Sequence, residues 1–200
     1  MRHLEEKNSL SELQHTAIIG CLKALSAGEL ILFPTDTLWG IGCDATNDKA
    51  VEKIYQLKRR EENKSLVILV NGDEMLSKYV DEIPDAAKDL LEYAENPLTI
   101  VYPSASGISG LAIANDKSVA VRVTKDPFCC ELIRKFRKPV VATSANMSGD
   151  PSPNSFLEIN PAILKGVAYV VNLHEHKRKL STPSTIIKVD KNNVIKFVRK

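Results

Sequence analysis

The segment that most constrains the fold is a run of five apolar residues at 66–70, LVILV. Three of the five are β-branched, and β-branched side chains favour strands. A strand with no polar face cannot lie against water, so it occupies the middle of a sheet with other elements packed on both sides. The run therefore predicts a central strand in a sheet that is covered on both faces.

Helices and strands alternate along the rest of the chain. Apolar residues at near-helical spacing predict helices over 9–27, 49–57, 84–94, 126–136 and 156–164. Short apolar runs predict the remaining strands over 30–33, 98–102, 119–123, 140–142, 167–171, 185–189 and 194–198. Asn47 and Asp126 are placed to cap helices, and Gly28 to end one. We predict one α/β domain over residues 1–200, a twisted mixed sheet flanked by helices.

Composition excludes several classes of protein. The 200 residues are 44% hydrophobic and 26% charged, as in an ordinary folded domain. No apolar run approaches the roughly 18 residues of a membrane span, and the first ten residues have no apolar signal segment. We therefore expect no membrane association and a cytoplasmic location. The net charge of +2 argues against a dedicated nucleic-acid binder.

The cysteines and histidines indicate no protein-bound metal. The four cysteines, at 21, 43, 129 and 130, have no C-x-x-C spacing, and we expect reduced thiols. His174 and His176 lie in a charged stretch, HEHKRK, without an acidic or thiol cluster to match. A solvated loop is the simpler interpretation of that stretch.

Four polar segments depart from what a core or a plain surface requires. Residues 34–45 (PTDTLWGIGCDA) follow a predicted strand and place hydroxyls and a carboxylate where open α/β sheets bind ligands. A tight turn with local Thr and Asp capping is the alternative there. Residues 57–66 (LKRREENKSL) carry cations that suit phosphate oxygens, or that simply complement the dipole of a helix end.

The other two segments are rich in small polar residues. Residues 140–149 (VVATSANMSG) open from a strand into a loop whose N–H groups and hydroxyls can hold phosphate. Residues 181–185 (STPST) add more hydroxyls before another strand. The sequence contains neither a P-loop nor the dinucleotide-binding motif G-x-G-x-x-G, so any nucleotide must be bound by other residues. It also lacks the G-x-S-x-G motif of α/β-hydrolases.

In their order, these segments resemble the YrdC/TsaC family of threonylcarbamoyl-adenylate synthases. The family pattern of P-T-[ED]-T-x-[YFW]-G-[IL]-G, a K-x-R cluster, V-R-V and S-x-N is met across residues 34–149, and the tail resembles its P-S-T-I strand. Two positions depart from it: Asp36 replaces the commoner Glu, and Leu38-Trp39 stands where many relatives have Val-Tyr. The length matches the short, TsaC-type form.

The resemblance implies a cytoplasmic enzyme with a wide, open, positively lined cleft. It would join L-threonine, bicarbonate and ATP into threonylcarbamoyl-AMP and pyrophosphate, with Mg²⁺ arriving on ATP. A TsaD-type transferase complex would pass the group to tRNA. No covalent enzyme nucleophile is needed, because cations and N–H groups stabilise the charge that gathers on phosphate.

Residue roles also follow from the resemblance. Lys58 and Arg60 are expected to be catalytic. Replacing either residue with Ala is expected to depress turnover while leaving the fold intact. The residues expected to bind ATP and phosphate are Lys58, Arg60, Lys64, Thr143, Ser144, Asn146, Ser184 and Arg199. Those expected to bind threonine are Thr35, Thr37, Arg122 and Ser181. Trp39 is interpreted as a wall of the pocket or as core.

Other functions remain open. A fold of this kind could serve as an RNA-binding or ribosome-assembly accessory module, although the chain lacks interleaved aromatic and basic residues. The related domain of hydrogenase maturation factors normally accompanies acylphosphatase and zinc-finger-like regions, for which this sequence has neither the length nor the cysteine spacing.

Overall fold

A computed structural model describes residues 10–60, 66–172 and 183–199. These residues form a nine-stranded mixed sheet with helices on both faces. The strands are β1 Ile31–Pro34, β2 Trp39–Asp44, β3 Val67–Val70, β4 Leu98–Tyr102, β5 Val119–Val123, β6 Val140–Ser144, β7 Tyr169–Val170, β8 Thr185–Val189 and β9 Ile195–Arg199. The helices are α1 Glu12–Ser26, α2 Asp48–Lys58, α3 Asp73–Tyr79, α4 Asp85–Tyr93, α5 Pro127–Phe136 and α6 Pro161–Gly166. The spatial order is β7-β1-β2-β6-β3-β5-β4-β8-β9.

The apolar run at 66–70 is confirmed as the centre of the sheet. Strand β3 is fifth of the nine strands, parallel to β5 and antiparallel to β6. Ile68 and Val70 pack into one hydrophobic cluster, while Leu69 packs into the cluster on the opposite face. Because both faces are covered, no residue of this strand needs to be polar.

The predicted helix ends are also confirmed. The Asn47 side chain accepts a hydrogen bond from the backbone N of Ala50, and Asp126 accepts one from Cys129. Pro127 then occupies the first turn of α5, where its missing N–H costs nothing. Gly28 follows α1 with a φ of +70°, in the left-handed region that glycine tolerates.

Strand β2 was not expected, and the two glycines within it explain why. Gly40 and Gly42 lie opposite β1 in the antiparallel pair of β1 and β2. A Cβ at Gly42 would stand 2.6 Å from the Phe33 ring and 2.7 Å from the carbonyl oxygen of Val141. The glycine is therefore required by close packing, which local sequence does not reveal.

Three further boundaries differ from the prediction. Helix α3 was missed because it has only seven residues and no side-chain cap. The helix expected over 156–164 is a short 3₁₀ turn, Phe156–Glu158, and then α6, because Asn160 caps a new helix that starts at Pro161. The strand expected over 167–171 has only two paired residues in β7.

The sequence predicts reduced cysteines, and the structure agrees. All four cysteines are free thiols, three of them buried and Cys130 half-buried. Burial raises the pKa of the Cys21 thiol to about 12, so it stays protonated at neutral pH. Among the residues described, no helix is long and apolar enough to span a membrane.

Candidate functional site

Eight of the twelve predicted site residues line one cavity of about 240 Å³. We call it the arginine cavity, after the residues that give it its charge. The eight are Thr35, Thr37, Arg60, Arg122, Thr143, Ser144, Ser184 and Arg199. The turn after β1, the end of β6, the start of β8 and the end of β9 bring them together.

Three guanidinium groups give the arginine cavity its electrostatic character. Arg60, Arg122 and Arg199 line it, and no Asp or Glu is among the described residues that line it. Burial lowers the pKa of Arg199, and the neighbouring positive charge of Arg122 lowers that pKa further. Burial also lowers the pKa of Arg60. An anion bound between these cations would relieve their mutual repulsion, so the cavity is suited to phosphate or carboxylate groups.

Arg122 lies on β5 and is held by the turn after β1. Its side chain is only 6% exposed. One terminal nitrogen, Nη1, donates to the hydroxyl of Thr37 at 2.9 Å. The other, Nη2, lies 3.3 Å from Oδ1 of Asp36. The Nε atom is buried and has no hydrogen-bond partner among the residues described.

Lys58 does not line the arginine cavity. It is 1% exposed at the end of α2, and its ammonium donates to the carbonyl oxygens of Ser144 and of Asn146, the latter at 2.6 Å. Burial and, to a lesser degree, the positive charge of the nearby Arg60 together lower the pKa of Lys58 to about 8. Lys58 holds the loop after β6 through these two hydrogen bonds. We therefore expect its replacement to lower stability as well as activity, whereas the sequence alone led us to expect an intact fold.

Asn146 also organises this loop rather than lining the cavity. Its side-chain amide donates to the carbonyl oxygens of Met147 at 2.9 Å and of Asp150 at 2.7 Å. The backbone N of Ser148 donates to the carbonyl oxygen of Lys58, which ties the loop to the end of α2. The predicted basic and S-x-N segments are thus parts of one hydrogen-bonded unit.

Arg199 reaches the cavity because β9 contains a bulge. Residues 195, 196 and 197 pair in regular register with 189, 188 and 187, but Ile186 pairs with Arg199. The one-residue shift turns Arg199 to the face of Ile186, whereas strict alternation would put it on the face of Phe197. Its Nη2 then donates to the carbonyl oxygen of Ser184 at 2.9 Å.

Some predicted residues lie outside the described part of the chain, and some lining residues were not predicted. Lys64 and Ser181 fall in the first group, as do His174 and His176. Ser152 lines the cavity although it lies outside the four polar segments that the sequence singled out. Leu66 and Val67 line it from the start of β3, where sequence indicated only core. A run of Ser and Pro gives no local signal for a site.

No metal centre accompanies the cavity in the part of the chain that can be described. Those residues contain no group of three His, Cys, Asp or Glu side chains able to hold an ion. Carboxylate oxygens are the usual protein ligands of Mg²⁺, and none of the described residues supplies one to the arginine cavity. This part of the lining does not fit a resident Mg²⁺.

A second concave surface lies on the other face of β8 and β9. This apolar groove, of about 460 Å³, runs between α4 and the two strands. Leu90, Tyr93, Leu98, Ile187 and Ile195 supply most of its apolar surface. Polar side chains, Asp89, Glu95, Asn96 and Thr185, also line it.

Comparison with known proteins identifies the family. The Sua5/YciO/YrdC family model, described as "Telomere recombination", matches residues 23–200. The chain belongs to this family. A protein of Methanocaldococcus jannaschii is 37% identical over 188 residues, which are 93% of this chain and 87% of that protein. The protein named threonylcarbamoyl-AMP synthase in Pseudoalteromonas translucida is 34% identical over 86% of this chain and 92% of its own length.

Solved structures of the family have the same fold. A doubly substituted P. abyssi Sua5 matches with a TM-score of 0.80 and 26% identity over 92% of this chain. P. abyssi Sua5 in complex with L-threonine matches with a TM-score of 0.77 and 28% identity over 88% of it. This chain spans 55% and 51% of those two chains, about half their length.

Trp39, one of the departures from the family pattern, is both core and cavity wall. It is 4% exposed and packs edge-to-face on Phe156, with ring centroids 5.2 Å apart. It also lines the arginine cavity. Trp39 therefore belongs to the core and also borders the cavity; its role at a substrate stays a prediction.

Proposed function

We propose that this family member is a threonylcarbamoyl-AMP synthase. It would form threonylcarbamoyl-AMP and pyrophosphate from L-threonine, bicarbonate and ATP, which makes it a nucleotidyltransferase. One observation carries the proposal: three arginines converge on a small cavity whose other polar lining, among the described residues, consists of hydroxyls. Relatives named threonylcarbamoyl-AMP synthase, and a Sua5 structure in complex with L-threonine, support the same reaction.

The reaction needs positioning and charge stabilisation more than acid–base chemistry. The amino group of threonine adds to bicarbonate with loss of water, which gives a carbamate. A carbamate oxygen then attacks the α-phosphorus of ATP, and pyrophosphate leaves with the electrons of the broken P–O bond. Negative charge gathers on phosphate oxygens during this step, and fixed guanidinium groups stabilise it. Holding an unstable carbamate beside ATP is a proximity effect.

The residues of the cavity divide between the two substrates. We assign Arg60, Ser144 and Arg199 to the phosphates of ATP, with Thr143 and Ser184 as hydroxyl donors nearby. Arg122 is assigned to the carboxylate of threonine. Lys58 and Asn146 would act by shaping the loop after β6, which exposes its N–H groups to phosphate. Lys64 and Ser181 keep their proposed roles from the family pattern alone.

Magnesium would be carried by ATP rather than by the protein. Mg²⁺ keeps much of its water and binds phosphate oxygens readily, so a site without carboxylates is compatible with a Mg²⁺–ATP substrate. The product would pass to a TsaD-type transferase that modifies tRNA, which places the proposed reaction in the cytoplasm.

The test is pyrophosphate release by the purified protein. We expect release from ATP that requires both bicarbonate and L-threonine, and much less with L-serine or no amino acid. Well-folded protein that releases no pyrophosphate with threonine would contradict the proposal. RNA affinity that falls steeply with salt, without ATP turnover, would then favour the RNA-binding alternative.

A further inference from the structure

We propose that Asp36 is a positioning residue which, together with Thr37, fixes the guanidinium of Arg122 for its anionic ligand. The inference rests on the proposed function for the identity of that ligand, the carboxylate of L-threonine. It assigns no direct substrate contact to Asp36. It also gives the hydroxyls of Thr35 and Thr37 a different role from the threonine contacts expected from the sequence.

The hydroxyl of Thr35 is hydrogen-bonded within the turn. Its oxygen accepts from the backbone N of Thr37 at 3.1 Å and of Leu38 at 3.2 Å. It can donate to the carbonyl oxygen of Leu38, 2.8 Å away. The hydroxyl oxygen of Thr37 lies 3.0 Å from that of Thr35, and either oxygen can donate in this contact.

The hydroxyl of Thr37 connects Arg122 to this turn. Its oxygen accepts from Nη1 of Arg122 at 2.9 Å and lies 3.0 Å from the hydroxyl oxygen of Thr35. The hydroxyl of Thr35 is in turn bonded to the backbone of the turn, so the turn is built to hold Arg122.

Asp36 holds the other terminal nitrogen of the same guanidinium. Its Oδ1 lies 3.3 Å from Nη2 of Arg122, and the two side chains are 19% and 6% exposed. Thr37 therefore hydrogen-bonds one terminal nitrogen of Arg122, and Asp36, from the preceding position, forms an ion pair with the other. The third nitrogen, Nε, is buried without a hydrogen-bond partner in the described part of the chain. An oxyanion that accepts from Nε would satisfy this donor.

The negative charge of Asp36 also offsets the repulsion between Arg122 and Arg199. Arg199 and Arg122 are close enough for the charge of Arg122 to lower the pKa of Arg199. Without a carboxylate beside it, Arg122 would be repelled by Arg199 and would favour another rotamer. An amide at position 36 keeps the shape of the side chain but removes this attraction, which makes Asp36→Asn the informative variant.

A double-mutant cycle on steady-state kinetics tests the proposal. We expect Asp36→Asn to raise the KM for L-threonine about tenfold or more, the usual scale for losing a partner of a charged group, with the KM for ATP within about twofold. Asp36→Glu restores the charge and is expected to recover most of the affinity. In an Arg122→Lys background, Asp36→Asn is expected to change the KM for threonine less than about twofold.

Equal increases in both backgrounds, or matching increases in the KM for ATP, would show a merely structural role and overturn the proposal. If Asp36→Asn does not fold, Thr37→Val and its control Thr37→Ser replace it, because only Val removes the acceptor of Nη1. The same pattern of KM values is expected from that pair.

NMR separates this inference from the proposed function. The Nε–H resonance of Arg122, assigned by its loss in Arg122→Lys, is expected to be exchange-protected in the wild type and broadened in Asp36→Asn. Protection that survives in Asp36→Asn would refute the positioning role, whatever the enzyme makes. Wild-type protein with a protected Nε–H but no threonine-dependent pyrophosphate release would refute the function and leave the positioning intact.

Discussion

The arginine cavity and the apolar groove use the same two strands but have opposite chemistry. Along β8, Ile186 faces the cavity, as does Ser184 just before the strand, while Thr185 and Ile187 face the groove. The groove is larger, about 460 Å³ against about 240 Å³. The described lining of the cavity, however, gathers three arginines and several hydroxyls, whereas that of the groove contains Asp89 and Glu95 and no cation. The comparison teaches that convergent polar groups, rather than volume, mark the candidate site.

The largest expected effect comes from removing a cation of the arginine cavity. We expect Arg60→Ala to lower kcat/KM by about 100- to 1000-fold, the scale for losing a preorganised donor to a developing anion. Arg60 is half-buried and lies just after the end of α2, so the unfolding transition is expected to change little. Threonine-dependent pyrophosphate release is the measurement.

The adjacent arginine supplies a matched control. Arg59 is exposed and has a φ of 50°, so Arg59→Gly removes the same charge and keeps the left-handed end of α2. We expect this variant to keep kcat/KM within about twofold. A comparable loss in Arg59→Gly and Arg60→Ala would show that general basicity, and not the cavity, governs activity.

A smaller effect is expected from the arginine that the bulge of β9 delivers. Arg199→Ala is expected to weaken ATP binding by about tenfold, less than a fully buried charged contact would, because Arg199 is exposed and water screens its charge. The control is Lys196→Ala on the same strand, an exposed cation that lines neither concave surface. Equal ATP affinities in the two variants, measured by calorimetry, would contradict the assignment.

A pH effect of several-fold is expected from Lys58. Its pKa of about 8 means that the positive charge is present at pH 7 and is lost as pH rises through 8. ATP binding is therefore expected to weaken between pH 7 and 9.5 by several-fold. Lys58→Arg keeps its charge over this range and is expected to flatten the profile. An unchanged slope in Lys58→Arg would assign the titration to another group.

The same lowered pKa affects stability with a definite sign. An unfolded Lys titrates near 10.4, so between pH 8 and that value the unfolded chain binds more protons than the folded one. The contribution of Lys58 to the free energy of unfolding is therefore expected to rise with pH in this window. Urea unfolding of the wild type and Lys58→Met at pH 7.5 and 10 isolates it, and an equal pH dependence in both would contradict the expectation.

The smallest effect is expected from the groove. Tyr93 is 76% exposed and lines the groove without touching the arginine cavity. We expect Tyr93→Ala to change kcat/KM less than about twofold. A loss comparable to that of Arg199→Ala would mean that the two surfaces are coupled through β8 and β9, and the contrast between them would have to be abandoned.

The parts of the fold that the sequence predicted correctly depend on residues that are close together along the chain. The position of β3, the caps at Asn47 and Asp126 and the end of α1 at Gly28 depend on residues within a few positions of each other. Strand β2 depends instead on Phe33, a residue of another strand that leaves no room for a Cβ at Gly42. Local sequence carries the first kind of information and not the second.

The candidate site divides in a similar way. The family pattern named eight of the residues that line the arginine cavity, because hydroxyls and cations at strand ends are visible in sequence. It could not show that Lys58 turns inward to carbonyl oxygens, because that depends on a loop 86 residues further along the chain. Nor could it show the bulge in β9, since strict alternation puts Arg199 beside Phe197.

The bulge in β9 couples ligand binding in the arginine cavity to the pairing of an edge strand. Arg199 reaches the arginine cavity only when β9, an exposed edge strand, is paired in its shifted register. An anion bound to Arg199 therefore favours that pairing by thermodynamic linkage, with a gain of about 2.7 kcal/mol when ligand stands at a hundred times its Kd. Backbone amides of β9 become reporters of the cavity, and their hydrogen exchange slows as it fills.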